Sequence, residues 1–68
     1  MKNEILISAR QKAGLTKTEI ARRIGVSLRM YQDYELKDCE PRVRTANKIA
    51  HILGTTSEKL WNIESNIV

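Results

Sequence analysis

Residues 17–36 read KTEIARRIGVSLRMYQDYEL, and this stretch decides the fold. Thr16, just before it, can cap a helix through its hydroxyl, with Glu19 three residues on as the return half of a capping box. Ile20, Ala21 and Ile24 fall on one face at helical spacing. Ala21 is small where a second helix crosses closely. Gly25 follows the last apolar residue, where a left-handed backbone ends a helix at little steric cost. Val26 buries the turn, and Ser27 can cap a second helix. Tyr31 and Tyr34 share the inner face of that helix at a spacing of three. The pattern predicts two short helices, 17–24 and 28–36, joined by a tight turn. Such a unit presents the outer face of its second helix.

Upstream, a helix is expected over residues 3–13, with Leu6, Ala9 and Ala13 inward and Ile5 at the margin. Gly14 stops it, Leu15 tucks under the turn, and Arg10 sits beside the inward face. Downstream, residues 37–41 read as a loop with Asp38 and Pro41 as breakers. A helix then starts at Arg42 or Val43, just after Pro41, and runs to Leu53. Its apolar stripe is Val43, Ala46, Ile49, Ala50 and Leu53, and Gly54 ends it. Residues 55–57 form a further capping segment before a short helix from Glu58 to Ile63 that brings in Leu60 and Trp61. The tail, 64–68, carries no firm signal. The expectation is all-α: five helices with short connections, local contacts and fast folding.

Sixty-eight residues make one domain, 1–68. A chain this small buries only about 60% of its unfolded surface. With Cys39 its single cysteine, no disulfide can form within the chain, so stability must come from a compact helical core or from dimerisation. Cys39 reads as a reduced, tolerated loop residue. No apolar run approaches the ~20 residues that span a bilayer. The start of the chain lacks the apolar region and cleavage site of a secretory signal. The expected location is cytoplasmic, with no membrane partner.

Twelve Lys and Arg against eight Asp and Glu give a net charge of +4, a moderate bias towards polyanions. Lys17, Arg22, Arg23, Arg29, Lys37, Arg42, Arg44 and Lys48 lie in the middle of the chain. Glu4, Glu58 and Glu64 lie towards its ends, while Asp33, Glu35, Asp38 and Glu40 interrupt the basic run. Catalysis lacks the residues it needs. His51 and Cys39 are the single members of their kinds and share no motif. A zinc site takes about four ligands at recognisable spacing. There is no P-loop and no GxGxxG. A five-helix domain of this size also lacks room for a deep pocket of ~300–1,000 Å³. No enzymatic activity, cofactor, metal or small-molecule ligand is expected, and His51 should point outward.

The run LISARQKAGLTKTEIARRIGVSLRMYQDYE, followed by PRVRTANKIAHILGTTSEKLW, resembles the phage Cro and repressor type of helix-turn-helix regulator, the XRE-like family. The likeness covers roughly residues 5 to 61. Its most specific parts are GLTKTEIARRIGVS, the Glu35 that ends the next helix, and KIAHILGTT. The resemblance implies a five-helix, lambda-repressor-like domain in which the second and third helices form the motif and the third enters the DNA major groove. It also implies that Arg10 pairs with Glu35 as a structural pair, not as DNA contacts. One departure stands out. Where the family usually follows that glutamate with Asn-Gly or a similar pair, this chain has Leu36-Lys37-Asp38. Either the third helix runs longer, or Lys37 or Asp38 adopts a left-handed conformation at some cost.

With Tyr31 and Tyr34 inward, the outer face of the third helix carries Ser27, Leu28, Arg29, Gln32 and Asp33, with Met30 at the boundary. Arg29 can bond guanine O6 and N7 in bidentate fashion, Gln32 can pair with adenine or a phosphate, and Leu28 can touch a thymine methyl. Asp33 either accepts from cytosine N4 or holds Arg29 as an i,i+4 partner, and the second is the expectation. Phosphate contacts are expected from Ser27, from Thr16 and Lys17, which can offer a backbone N–H and an ammonium, and from Lys37, Arg42 and Arg44. Arg22 and Arg23 read as a solvated face.

The implied function is a sequence-specific regulator of double-stranded DNA, acting as a repressor. It would work as a homodimer on an inverted repeat about one turn (~34 Å) apart. Ile63, Ile67 and Val68 are the candidate dimer residues. The same fold also serves antitoxins, mobile-element control proteins and interaction modules that have lost DNA binding.

Overall fold

The computed structural model describes residues 2–37 and 39–61. Within them lie five helices and no strand: α1 (Glu4–Lys12), α2 (Lys17–Ile24), α3 (Leu28–Leu36), α4 (Val43–Leu53) and α5 (Ser57–Trp61). The two motif helices have the bounds read from the sequence. Asp38, Ile63 and the tail, 64–68, lie outside the described residues.

Local chemistry sets the bounds of the motif. The capping box at α2 is complete: Thr16 Oγ1 accepts the Glu19 N–H at 3.1 Å, and Glu19 Oε1 accepts the Thr16 N–H at 2.9 Å. Gly25 ends α2 with φ +79°, its amide donating to the Ala21 and Arg22 carbonyls. Ser27 Oγ accepts the Met30 N–H at 3.1 Å and starts α3. Three residues therefore make the whole turn.

Packing does the rest. α2 lies against α3 and α4, α1 against α3 and α5, and α4 against α5. Leu6, Ile20, Tyr31, Ile49 and Leu60 are fully buried at the centre, and Ala21 and Ala50 are buried in the same cluster. Each such aliphatic side chain contributes about 1.5–3 kcal/mol on burial. Tyr31 and Tyr34 meet edge to face, centroids 6.2 Å apart at 84°.

Three expectations need correction. Val43 is 77% exposed and outside the core. It is the first residue of α4, and helical side chains lean towards the N-terminus, so Val43 leans past the end of its helix. The buried stripe begins one turn later at Ala46. Ala13 is exposed for the opposite reason: it is the C-cap of α1, already leaving the helix. Finally, α3 does not run past Leu36 and Lys37 is extended at φ −123°, ψ 167°, while the left-handed alternative at Asp38 lies outside the described residues.

Asn3 explains how α3 can stop there. Its N–H donates to the Glu35 carbonyl at 2.7 Å, satisfying one of the carbonyls that a helix end leaves open. Its Oδ1 accepts the Leu6 N–H at 3.0 Å and caps α1. Its Nδ2 donates to the Leu60 carbonyl at 2.8 Å. One residue thus joins α1, α3 and α5. Replacing Asn3 with Ala removes the cap and the tie to α5. It is expected to cost about 1–3 kcal/mol in urea unfolding. A change within error of zero would show that these bonds are exchanged for water without loss.

Candidate nucleic-acid interface

The reading face of α3 is defined by what its other side cannot release. Tyr31, Tyr34 and Glu35 are buried, which turns Ser27, Leu28 and Arg29 outward into solvent. Gln32 and Asp33 lie half-buried along the edge, and Met30 is exposed. Asp33 does have an i,i+4 partner, but it is Lys37 rather than Arg29: Oδ1 lies 3.7 Å from the Lys37 Nζ. An acid placed N-terminal to its base is the better orientation for such a pair on a helix.

The start of α2 also differs in detail from expectation. The Thr16 N–H is already donated to Glu19, so it is not free for a phosphate. The helix amides left without an acceptor among the described residues are those of Lys17 and Thr18. Glu19 is tied firmly into this cap. The Thr16 backbone bond, then its hydroxyl, then the nearby Arg23 and Arg22 hold its carboxyl below the ordinary 4.5. At α4 the N-cap is Arg42, with no side-chain bond to close the helix end. Arg42 and Arg44 are both exposed there. Two helix N-termini with adjacent cations thus belong to the same small domain as the outer face of α3, and such ends favour anions.

Behind this face, Glu35 is fully buried. Its Oε2 accepts from Arg10 Nε at 2.7 Å, the pairing that the resemblance implied, and also from the Tyr31 hydroxyl at 2.6 Å. Arg10 extends a second prong, Nη1, to the Leu15 carbonyl at 2.9 Å. The Tyr31 hydroxyl was not anticipated, although residues 31 and 35 sit one helical turn apart on the same buried face. Asn3 was likewise missed. Its signal was an asparagine just before an acidic first turn, the pattern of an N-cap.

Arg22 and Arg23 are exposed, as expected. Arg23 joins Arg44, Lys48 and His51 along an open groove between α2 and α4, with Val43 and Ile52 as its apolar members. Cys39 packs partly against the core. Among the described residues, no cluster of His, Cys, Asp and Glu is placed to hold a metal ion, and no helix is long and apolar enough to cross a membrane.

Burial, followed by the bond to Glu35 and its charge, pushes the Tyr31 phenol far above its ordinary 10.0. Burial and the neighbouring Cys39 raise Tyr34 as well. Both phenols are neutral in the fold. Their stabilising contribution is complete below pH 10 and is lost as pH rises through the raised values. Ultraviolet titration should therefore show phenolate absorbance appearing above pH 10 and together with loss of helical circular dichroism. Half-ionisation near pH 10 with the helices intact would contradict this.

A profile of the family described as Helix-turn-helix matches residues 6–60, from the first core leucine of α1 to that of α5. Comparison with curated proteins and with solved structures returns no match. The matched region contains the capped motif, the Arg10–Glu35 pair and the outer face of α3, and it spans most of the chain. The chain belongs to the helix-turn-helix family, in its Cro and C1 type of DNA-binding regulators.

Proposed function

We propose that this protein is a sequence-specific regulator of double-stranded DNA that acts as a repressor by occupying an operator, with α3 in the major groove. The observation that carries this reading is the outer face of α3: a base-sized set of side chains, Leu28, Arg29, Gln32 and Asp33, on a helix whose opposite side is locked into the core. Arg29 reads guanine through two parallel bonds, Leu28 meets a thymine methyl, and Gln32 meets adenine. Asp33 accepts from cytosine N4 on release from Lys37, or stays with Lys37 and shapes its reach. Phosphates are held at the edges by Ser27, by Lys17 and the Lys17 and Thr18 amides, and by Lys37, Arg42 and Arg44. These contacts set register and affinity without carrying sequence information. One such module reads few base pairs. The working form is therefore a homodimer on an inverted repeat with half-sites about one turn, ~34 Å, apart.

Selection of bound duplexes from a random pool at about 0.15 M salt tests the reading, because phosphate binding alone is weakened there. An enriched inverted repeat supports the dimeric regulator. A short unpaired motif overturns the dimer but keeps specific reading. No enrichment by folded protein overturns DNA reading in favour of an interaction module.

Two variants separate the roles. R29A should relax preference at one base position and cost about 1–3 kcal/mol on the selected duplex. Wild-type preference in R29A would remove Arg29 from the base readers. K17A or R42A should weaken binding to all duplexes alike and lower the slope of log affinity against log salt by about one. An unchanged slope would exclude those phosphate contacts.

A further inference from the structure

We propose that the Tyr31 hydroxyl is a positioning group for DNA reading: it fixes the Glu35 carboxylate so that Arg10 ties the reading helix to the Leu15–Thr16 turn, where α2 begins. The inference rests on the DNA-reading function proposed above and adds a residue that touches no DNA.

The geometry is a relay of short bonds. The Tyr31 hydroxyl and Arg10 Nε both donate to one oxygen, Glu35 Oε2, at 2.6 and 2.7 Å. The other oxygen, Oε1, is buried and has no partner among the described residues. A carboxylate held by Arg10 alone is free to tilt about its last bond. Two donors converging on one oxygen from α3 and α1 fix the orientation of its plane. The guanidinium is planar and its prongs are fixed relative to one another. Once Nε is placed on Oε2, the position of Nη1 is set, and with it the Leu15 carbonyl 2.9 Å away. Leu15 precedes Thr16, the N-cap of α2. Tyr31 therefore acts through Glu35 and Arg10 on the angle between the helix that carries the base readers and the helix end that carries a phosphate anchor.

Base contacts and phosphate contacts must be made at the same time, so an error in this angle loses one set or strains the other. Nothing in the relay lies on the reading face. Its loss is felt as misplacement, not as a missing contact. A Phe at this position keeps the buried ring and removes the O–H that Glu35 accepts.

The experiment compares full-length wild type, Y31F, R10K and the double variant on two duplexes, the selected sequence and a scrambled one. Circular dichroism confirms folding at the assay temperature. R10K keeps the charge and reaches Glu35 but cannot hold Leu15 through the same fork. Y31F is expected to bind the selected duplex about three- to tenfold more weakly, the scale of one ordinary hydrogen bond, with a smaller loss on the scrambled one. R10K should lose preference in the same direction. The double variant should bind no more weakly than R10K alone, because both changes cut one relay.

A Y31F protein that melts earlier yet keeps both affinities has a purely structural hydroxyl, and the inference falls. Additive losses in the double variant overturn it as well. If Y31F does not fold, R10K with unchanged preference overturns the relay on its own. Wild type without preference between the duplexes overturns the function proposed above and this inference together; preference kept in folded Y31F overturns this inference alone.

Discussion

A carboxylate with no exposure to solvent sits at the centre of this small domain, and much of the structure answers to it. Glu35 is buried, and Arg10, which pairs with it, is only 11% exposed at its side chain. Taking two charges out of water costs several kcal/mol per ion, and only well-placed partners recover it. A well-packed apolar pair can be as stable, so stability alone does not explain the arrangement. Direction does. An apolar contact tolerates sliding and rotation, whereas Oε2 accepts at 2.6 and 2.7 Å from two fixed donors. A glutamine would do worse than its shape suggests. With its oxygen facing Tyr31 and Arg10, its amide N–H groups would occupy the place of Oε1, where no acceptor is present among the described residues.

The same requirement, that buried polar groups be paired, shapes the helix ends. α2 closes its own start with the Thr16–Glu19 box, α1 uses Asn3, and α3 uses Ser27. α4 alone among these four starts without a side-chain cap, at Arg42. An uncapped start is weaker by roughly 0.5–2 kcal/mol. Here it leaves backbone donors beside two arginines. The end of α3 shows the converse. Lacking a glycine, it takes an amide from Asn3, near the start of the chain.

What was legible in the sequence follows from this division between local and distant pairing. The bounds of α2 and the start of α3 were readable because Thr16, Glu19, Gly25 and Ser27 act on their own neighbours. Arg10–Glu35 was readable only through the resemblance, since nothing within one residue's reach shows that positions 25 apart will meet. The exit from α3 was not readable, because its solution comes from Asn3. Val43 misled because apolar periodicity says which side of a helix a residue is on, not whether a neighbour extends that far. Asp33 had Arg29 and Lys37 at equal spacing, and only the orientation rule separates them. The Tyr31–Glu35 bond was within reach of the same spacing argument, which had treated Tyr31 only as an apolar ring. Of the site itself, the sequence showed which residues face outward but not which amides stay open, since Glu19 occupies the one at Thr16.

A nine-residue helix is marginal on its own in water, so α3 is helical because of what it buries. Tyr31, Tyr34 and Glu35 supply that burial and face away from solvent. Ser27 starts the helix through its side chain. Leu28, Arg29 and Gln32 do neither: none belongs to the core cluster, and none makes a side-chain bond among those described. Under the proposed function, fold and reading are thus carried by different residues of one short helix. Changes at positions 28, 29 and 32 can alter which bases are met while leaving the helix in place. On the relay proposed above, changes at 31 and 35 would move every reader at once. A domain with so little core cannot lose several kcal/mol and remain folded. Under the proposed function, the readers Leu28, Arg29 and Gln32 stand outside the core cluster, so sequence preference can vary while the structure is kept.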